Sequence, residues 1–356
     1  MSDLQYWQGK NVFLTGHTGF KGSWLSILLT HLGARVHGYA LKPDIAPSMF
    51  DLCQIANHIQ QSDFENILGL PKLKERMALN EPEVVFHLAA QALVQESYVS
   101  PVETYATNVL GTVHVLEAVR STPSVRAVII VTSDKCYEDQ KCDKGYQEGD
   151  RLGGFDPYSN SKACAEMVTS AYRNSFFHSD KYSEHNVAIA SVRAGNVIGG
   201  GDWATQRLVP DCIRAFLERE QVRLRNPGAI RPWQHVLEPL SGYITLASKL
   251  ATSGSAYSGE WNFGPCDDDM QSVEWVTKEL ALRWFENVSY SNEPVEEGHE
   301  THCLKLNSNK ARELLGWNPS WSLSTTLDKI VEWLQSYREK KNLLQLTVKQ
   351  IEEYLG

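Results

Sequence analysis

Residues 10–32, KNVFLTGHTGFKGSWLSILLTHL, join a short apolar run to a longer apolar segment through a turn with three glycines. The first six residues have the length and composition of a buried strand, and the apolar side chains from Trp24 to Leu32 recur at helical spacing. Gly16 permits the tight turn, Gly19 lets a pyrophosphate approach the backbone, and Gly22 lets the helix pack on the strand. The segment therefore predicts the phosphate-binding turn of a dinucleotide site.

The same alternation of strand and helix continues through the first half of the chain. Further strands are predicted at residues 34–40, 83–88, 126–132 and 187–193, with amphipathic helices at residues 102–120 and 158–177. Strands that alternate with helices form parallel sheets with crossover connections, so we expect a doubly wound α/β sheet of the Rossmann type. We assign residues 1–197 to this dinucleotide-binding domain.

The second half of the sequence is less regular. After residue 198, clusters of glycine, proline and asparagine separate short elements, which predicts a smaller, mainly substrate-binding lobe over residues 198–356. An amphipathic helix at residues 323–337 is expected to return to the first domain, together with other segments of the second half.

Composition and charge exclude several classes of protein. The chain has 356 residues and a net charge of −9, whereas a nucleic-acid-binding protein needs a cationic surface. We find no apolar run of the roughly 18 residues that span a bilayer, and residues 1–9 lack the pattern of a signal peptide. The seven cysteines include no C-x-x-C pair, so we expect reduced thiols in a cytoplasmic protein.

The acidic residue that usually follows the second strand of a dinucleotide site, where it binds the adenosine ribose, is missing. That strand runs into Ala40, Leu41 and Lys42, and the nearest acid is Asp44. Lys42 would suit the 2′-phosphate of NADP, but an ordinary loop lysine would look the same. These residues therefore leave NAD and NADP open, and they predict a cofactor held less tightly than in proteins with that acid.

Residues 156–162, DPYSNSK, predict the start of a helix that carries a proton-transfer group. Asp156 can cap the helix, and Pro157 suits its first position. Tyr158 and Lys162 share one helix face, so the lysine cation and the helix dipole are expected to lower the pKa of the phenol toward about 7. Tyr158 would then act as a base.

A second polar group follows the strand predicted at residues 126–132. Ser133, Asp134 and Lys135 place a hydroxyl, a carboxylate and an amine at the carboxyl end of that strand, where ligands bind in sheets of this type. Ser133, Tyr158 and Lys162 form a coherent set for proton transfer.

Together these motifs resemble those of extended short-chain dehydrogenases/reductases that act on nucleotide sugars. The resemblance covers nearly the whole chain. The further segments that carry it are His87–Gln91, Asn108–Thr112, Arg193–Val197 and Leu315–Pro319. Within the family, GHTGFKGSW at residues 16–24, Ser133-Asp134-Lys135 and RPWQHV at residues 231–236 are most similar to motifs of the CDP-glucose 4,6-dehydratases.

The resemblance implies NAD as the cofactor and assigns residues to it and to a nucleotide sugar. The implied cofactor-binding residues are Gly16, Thr18, Gly19, Phe20, Lys21, Gly22, Asp63, Phe64, Leu88, Ala89, Ala90, Tyr158 and Lys162. The implied substrate-binding residues are Asn196, Arg207 and Arg231, of which the two guanidinium groups suit a diphosphate.

The resemblance also implies a reaction in which the sugar is oxidised at C4, loses water across C5 and C6, and is reduced again at C6. The implied catalytic residues are Ser133, Asp134, Lys135, Tyr158 and Lys162. Tyr158 would take the C4 hydroxyl proton, and Asp134 would protonate the departing C6 hydroxyl. Lys135, expected to be buried and to have a lowered pKa, would be the C5 base or, alternatively, would stabilise the enolate.

Three other functions are open at this point. A nucleotide-sugar 4-epimerase would share Tyr158 and Lys162 but needs no elimination pair, whereas a UDP-N-acetylglucosamine dehydratase also uses an Asp-Lys pair. A cofactor-sensing binding protein could use the same fold without the proton-transfer set. Relatives commonly pair through two long helices, so a homo-oligomer, dimer or tetramer, is expected to form through residues 102–120 and 158–177.

The segment Glu296–Cys303 contains two histidines but does not predict a metal site. His299 and His302 are not spaced as the i, i+4 pair of a helical zinc site, and Gly298 weakens any helix there. We predict a loop and no bound metal.

Overall fold

The computed structural model describes residues 4–139, 145–284, 290–292 and 305–356, so Glu296–Cys303 lies outside the described residues. The strands are β1 (Asn11–Thr15), β2 (Arg35–Ala40), β3 (Gln61–Phe64), β4 (Val84–His87), β5 (Ala127–Val131), β6 (Ala188–Arg193), β7 (Val197–Ile198), β8 (Val222–Leu224), β9 (Ile230–Pro232), β10 (Gln234–His235), β11 (Gly259–Asn262), β12 (Met270–Ser272) and β13 (Tyr290–Asn292).

The α-helices of the described residues occupy both halves of the chain. They are α1 (Phe20–His31), α2 (Met49–Leu52), α3 (Leu70–Asn80), α4 (Val94–Val99), α5 (Pro101–Tyr105), α6 (Gly111–Arg120), α7 (Pro157–Ser175), α8 (Tyr182–His185), α9 (Leu208–Glu218), α10 (Leu237–Ser253), α11 (Val273–Arg283), α12 (Asn309–Leu315), α13 (Leu323–Arg338) and α14 (Leu343–Leu355). A π-helical segment, Ala106–Leu110, joins α5 to α6, so the predicted helix at residues 102–120 is confirmed as one continuous rod.

Seven strands form one parallel sheet in the order β11-β6-β5-β4-β1-β2-β3. The chain builds outward from β1 in one direction through β2 and β3, and in the other through β4, β5 and β6. The carboxyl ends of β1 and β4 therefore flank the switch point at which such sheets bind ligands. The predicted doubly wound α/β sheet is confirmed.

Helices cover both faces of this sheet. One face packs against α1 and α10 around side chains such as Leu14, Phe86 and Ile129. The other packs against α3, α6 and α7 around Phe13, Val85 and Val128. Successive residues of one strand thus enter opposite cores, which is why the central strands read as continuous apolar runs.

The sequence analysis assigned no strand to residues 61–64, which form β3. Their sequence, QSDF, is mostly polar, and β3 lies at the edge of the sheet, where it pairs only with β2. Backbone hydrogen bonding to an existing strand, rather than an apolar pattern, makes this segment extended.

The second half of the chain contributes to the central sheet and builds smaller units beside it. β11 pairs with β6 in parallel as the seventh strand. Three two-stranded units, β7 with β10, β9 with β12 and β8 with β13, lie with α9, α11 and α13 outside the central sheet. Among the described residues, none of the helices has the length and apolar character needed to cross a membrane.

Candidate active site

The glycine turn between β1 and α1 has the packing that the sequence predicts. Gly16 has a φ of +76°, and a Cβ there would lie 2.6 Å from the Ala89 nitrogen. A Cβ on Gly22 would lie 2.0 Å from the Gly16 oxygen. A Cβ on Gly19 would meet only that same oxygen, at 3.5 Å. Gly16 and Gly22 are therefore needed by the fold, whereas Gly19 leaves open the space at the N-terminus of α1.

The backbone after β4 closes the other side of this turn. The amides of Leu88 and Ala89 both donate to Thr15 Oγ1 over 3.2 Å, and Ala90 follows them at the same sheet edge. The Thr15 hydroxyl also bonds His87 Nδ1 over 2.8 Å. The predicted residues 88–90 thus line the switch point beside Gly16.

Aromatic residues lie where the second strand ends. His17 is fully buried, contacts the rings of Phe50 and Phe64, and bonds Ser62 Oγ over 2.7 Å. Phe64 is 42% exposed, and the Lys42 ammonium lies 5.7 Å from its ring centre. This contact gives Lys42 a packing role at the loop.

Asp63, one of the predicted cofactor residues, is held by neighbouring side chains. Its Oδ1 accepts from Gln61 Nε2 over 2.9 Å, and its Oδ2 lies 3.5 Å from Arg76 Nε. Two further residues predicted at the cofactor lie nearby: Thr18 donates to the Leu41 carbonyl over 2.9 Å, and Phe20 packs against the core.

Tyr158 and Lys162 begin α7, as predicted. Asp156 caps the helix by accepting from the Ser159 amide over 2.9 Å, and Pro157 is its first residue. Tyr158 is buried at 9% exposure and Lys162 at 6%, and Lys162 Nζ donates to the Val131 carbonyl over 3.2 Å. The pair therefore lies against the end of β5.

The expected lowering of the Tyr158 pKa is wrong in this structure. Burial raises the pKa of Tyr158 to about 12, although hydrogen bonding with Ser133 and the Arg207 charge oppose the rise. Burial also lowers the pKa of Lys162 to about 8, and the charge of Lys21 adds to this effect. The cost of placing either charge away from water exceeds the favourable effects that helix spacing predicts.

The polar group after β5 lies next to Tyr158. Ser133 Oγ donates to Asp134 Oδ1 over 3.1 Å and accepts from the Lys135 amide over 3.3 Å. Asp134 is 3% exposed, and a Cβ on Gly195 would lie 1.8 Å from its Oδ2. The expected burial of Lys135 is not found, since that side chain is partly exposed.

Two of the three predicted substrate residues, Arg207 and Arg231, lie in the second half of the chain, and Asn196 lies at the end of the first domain. Arg207 precedes α9, bonds Asp202 Oδ2 over 3.2 Å, and is close enough to Tyr158 and Lys21 for its charge to affect both pKa values. Arg231 lies on β9 and is 7% exposed. Asn196 precedes β7 with a φ of +38°. The structure thus brings Arg207 to the catalytic group.

Lys21 lies nearer the catalytic group than its place in the glycine turn suggests. Burial and the Arg207 charge lower the pKa of Lys21 to about 8, and the carboxylates of Asp134 and Asp202 oppose that effect. Lys21, predicted only as a cofactor residue, therefore belongs to a charged cluster with Asp134, Arg207 and Lys162.

A buried network supports the site and was missed as such by the sequence analysis. Glu166, one turn after Lys162, accepts two bonds of 2.9 Å from Arg193, and both side chains are 1% exposed. Arg193 also donates to the Tyr137 hydroxyl over 2.7 Å. The i, i+4 spacing of Lys162 and Glu166 was the available signal that Glu166 lies on the same face of α7 as Lys162.

Asn108 is a second residue that the sequence reasoning left without a role. It lies in the π-helical segment, where its amide group donates to Ser161 Oγ over 2.8 Å and to the Gln91 carbonyl over 3.0 Å. Ser161 in turn donates to the Tyr158 carbonyl over 2.7 Å. This chain of bonds fixes the first turn of α7.

The sequence matches the family model described as GDP-mannose 4,6 dehydratase over residues 13–330. The chain belongs to this family. It is also 50% identical over 356 residues to the CDP-glucose 4,6-dehydratase of Salmonella typhimurium, covering 100% of this chain and 99% of that protein. These matches confirm the resemblance to extended short-chain dehydrogenases/reductases.

Two solved structures show the same fold at lower identity. The UDP-glucose 4-epimerase of Thermotoga maritima with UDP-glucose superposes with a TM-score of 0.78 at 22% identity, over 92% of this chain and 99% of that one. The dTDP-glucose 4,6-dehydratase of Bacillus anthracis in complex with NAD gives 0.75 at 21% identity, over 94% and 100%.

Proposed function

We propose that this protein is an NAD-dependent CDP-glucose 4,6-dehydratase, which converts CDP-glucose to CDP-4-keto-6-deoxyglucose and water. The observation that carries the proposal is the 50% identity over the whole chain to the Salmonella enzyme of that activity. The local chemistry supports it, because Ser133, Asp134 and Lys135 lie at the end of β5 beside Tyr158. An acid and an amine at that place suit an elimination.

The residues of the glycine turn fit a dinucleotide. Gly19 leaves room for a pyrophosphate at the N-terminus of α1, and the amides of that helix end favour its negative charge. Gly16 lets the turn approach the backbone of Leu88 and Ala89, and Asp63 and Phe64 at the end of β3 are assigned to the adenine. When bound there, NAD would supply hydride acceptance at C4 of the sugar and hydride return at C6.

The proton chemistry belongs to side chains of this protein. Tyr158 is assigned to take the proton of the C4 hydroxyl, and among its neighbours hydrogen bonding with Ser133 and the Arg207 charge favour the phenolate form that does so. Removal of the C5 proton is assigned to Lys135, which follows Asp134 after β5 and is partly exposed. Asp134 delivers a proton to the departing C6 hydroxyl.

The nucleotide diphosphate is assigned to Arg207 and Arg231, with Asn196 contacting the sugar. Guanidinium groups bind phosphate oxygens in a bidentate manner. Arg207 is the better supported of the two, because its charge acts on Tyr158 and Lys21 and therefore lies at the reacting end of the cleft. Arg231 on β9 would then contact the part of the nucleotide farther from Tyr158.

A panel of nucleotide sugars tests this function. Protein supplied with NAD is incubated with CDP-, UDP-, dTDP- and GDP-glucose and with UDP-N-acetylglucosamine, and products are read by mass. Loss of one water from CDP-glucose, at a higher kcat/KM than from the other sugars, is expected. Preferred dehydration of UDP-N-acetylglucosamine would reject CDP-glucose as the substrate. Epimerised sugar without loss of water would reject the dehydratase activity.

We also propose that the protein is a homo-oligomer that pairs through its two long helical rods. Val102, at the start of α5, is 82% exposed, and Met167, in the middle of α7, is 54% exposed. The α5–α6 rod packs beside α7, so these apolar side chains belong to neighbouring helices on one side of the sheet. Exposed apolar surface of this kind is typical of protein interfaces.

A further inference from the structure

One glycine beside the catalytic group is explained by a neighbouring side chain rather than by the backbone. The inference drawn from it rests on the proposed function, in which Asp134 protonates the departing C6 hydroxyl. Gly195 lies between β6 and β7, and its φ is outside the left-handed region that favours glycine. The conformation of the backbone at this position therefore does not call for glycine.

A side chain at position 195 would occupy the space that holds the Asp134 carboxylate. A Cβ on Gly195 would lie 1.8 Å from Asp134 Oδ2, 2.4 Å from Cγ and 3.1 Å from Oδ1. Apart from the adjoining residues of the chain, these three are its nearest atoms. At Gly16 and Gly22, by contrast, the nearest atoms belong to the backbone. The missing side chain of Gly195 thus makes room for one carboxylate, not for a turn of the chain.

Hydrogen bonds hold the backbone around residue 195 in place. Gln234 is 2% exposed, and its Nε2 donates to the carbonyls of Gly195 over 3.1 Å and of Phe263 over 2.9 Å. The Phe263 amide donates to the Arg193 carbonyl over 2.8 Å. The Gln234 amide donates to the Asn196 carbonyl over 3.3 Å. Because this backbone is fixed, a larger residue at position 195 would displace the carboxylate and not the chain.

One oxygen of the Asp134 carboxylate is positioned by space rather than by hydrogen bonds. Asp134 is 3% exposed, and its Oδ1 accepts from Ser133 Oγ over 3.1 Å. Its Oδ2 is buried and accepts no hydrogen bond from the part of the chain that the structure describes. Unbonded carbon and oxygen atoms keep about 3.4 Å apart, so a Cβ at position 195 would push Oδ2 away by roughly 1.5 Å.

We propose that Gly195 is a positioning residue for the elimination, because the space beside it seats the Asp134 carboxylate where the C6 hydroxyl departs. Gln234 keeps that space in place. Oxidation at C4 is assigned to Tyr158 and the cofactor, which do not use this carboxylate. A change at position 195 therefore separates the two halves of the reaction, since the elimination loses its proton donor while the oxidation keeps its base.

Gly195→Ala tests this role in protein supplied with NAD and CDP-glucose. Elimination is expected to slow about 100-fold, which is the effect of a displacement of about 1 Å. C4 oxidation and the KM for CDP-glucose should stay within a few-fold of the wild-type values, so the absorbance of reduced nicotinamide accumulates. Gly149→Ala is the matched control and should show no accumulation, because Gly149 is exposed and a Cβ there would have no atom within 4 Å.

A small carboxylic acid in the buffer probes the same space. In Asp134→Ala, formic acid is expected to restore elimination at least tenfold, because it enters the space left by the carboxylate. It gives its proton to the departing hydroxide, which leaves as water, and formate returns to the buffer. In Asp134→Ala combined with Gly195→Ala, the new methyl group fills part of that space, so the restoration should be lost. This comparison holds even if Gly195→Ala alone does not fold, since the double variant has no carboxylate for the methyl group to meet.

Thermal melts of cofactor-free protein test the contact without turnover. Gly195→Ala should lower the melting temperature of the wild type more than that of Asp134→Ala, because residues in contact have coupled effects on stability. A merely structural role of Gly195, independent of the carboxylate, would lower both melting temperatures equally.

The outcomes distinguish this inference from the proposed function. Equal slowing of oxidation and elimination in Gly195→Ala, or equal restoration by formic acid in both Asp134→Ala backgrounds, would overturn the positioning role. Equal losses of melting temperature would overturn it as well. If the wild-type protein releases water from none of the nucleotide sugars, the dehydratase proposal itself fails, and the melts still test the contact between Gly195 and Asp134.

Discussion

At the scale of single residues, burial decides the state of the catalytic groups. Burial raises the pKa of Tyr158 to about 12 and lowers the pKa of Lys162 and of Lys21 to about 8. Both lysines remain mostly protonated at neutral pH, so the cleft keeps positive charge where a phenolate must form.

Tyr158→Phe is expected to lower kcat by roughly 10²- to 10⁴-fold, which is the range for loss of a proton-transfer group. NAD affinity should stay within a few-fold of the wild-type value, because the ring remains at the start of α7. Steady-state kinetics with CDP-glucose and cofactor titration by fluorescence provide the measurement. A variant that retains full turnover would contradict the assignment of Tyr158 as the base.

At the scale of elements, the β1–α1 turn separates what the fold needs from what the cofactor needs. Gly16 and Gly22 touch backbone atoms, and β1, α1 and the segment after β4 could not pack at these distances with larger residues. Gly19 has no such neighbour apart from the Gly16 oxygen at 3.5 Å. Its lack of a side chain is therefore explained by a ligand better than by the fold.

Gly19→Ala is expected to reduce NAD affinity at least tenfold, or about 1.4 kcal/mol, while leaving the melting temperature of the free protein nearly unchanged. Gly22→Ala should instead destabilise the fold, because its Cβ would lie 2.0 Å from the Gly16 oxygen. Gly228→Ala is the matched control, since a Cβ there would have no atom within 4 Å. Calorimetric binding and thermal melts measure both effects; unchanged affinity in Gly19→Ala would contradict the cofactor role.

At the scale of the whole molecule, buried polar groups link the two halves of the chain. Arg193 at the end of β6 binds Glu166 on α7 and Tyr137, and Tyr137 reaches Asn262 at the end of β11. His235, between the rings of Trp24 and Trp321, joins α1 to the C-terminal part of the chain. Such groups are stable while paired or neutral, and costly when a charge is left alone.

Acid pH should destabilise the whole fold through its buried histidines. Burial lowers the pKa of His17 to about 4 and the pKa of His87 and of His235 to about 3. Because the unfolded chain binds these protons first, the free energy of unfolding falls as pH drops below about 6.5, by up to about 2 kcal/mol per histidine at pH 5.

Urea unfolding at pH 7 and pH 5 measures this loss. His235→Asn, which can still accept from the Leu237 amide, should show a smaller difference between the two pH values than the wild type. His58→Gln is the control, because His58 is exposed and should leave the difference unchanged. An equal loss in wild type and His235→Asn would show that His235 does not take part.

The proposed assembly gives a prediction at the same scale. Val102→Glu combined with Met167→Glu places charges on the rods formed by α5–α6 and α7, so the protein is expected to become monomeric. Leu282→Glu is the matched control, since Leu282 is 74% exposed but lies on α11 in the second half of the chain. Light scattering of the eluted protein measures the mass; an unchanged mass in the double variant would place the interface elsewhere.

The sequence alone determined the doubly wound sheet, the glycine turn and the identity of the residues at the end of β5 and the start of α7. These features depend on local spacing, since apolar runs, caps and glycines act on neighbours in the chain. Only the tertiary structure showed that Lys21 lies near Asp134, that Arg207 lies near Tyr158, and that Lys135 is partly exposed. Burial, and contacts between residues far apart in the chain, set those properties, and no pattern along the chain carries that information.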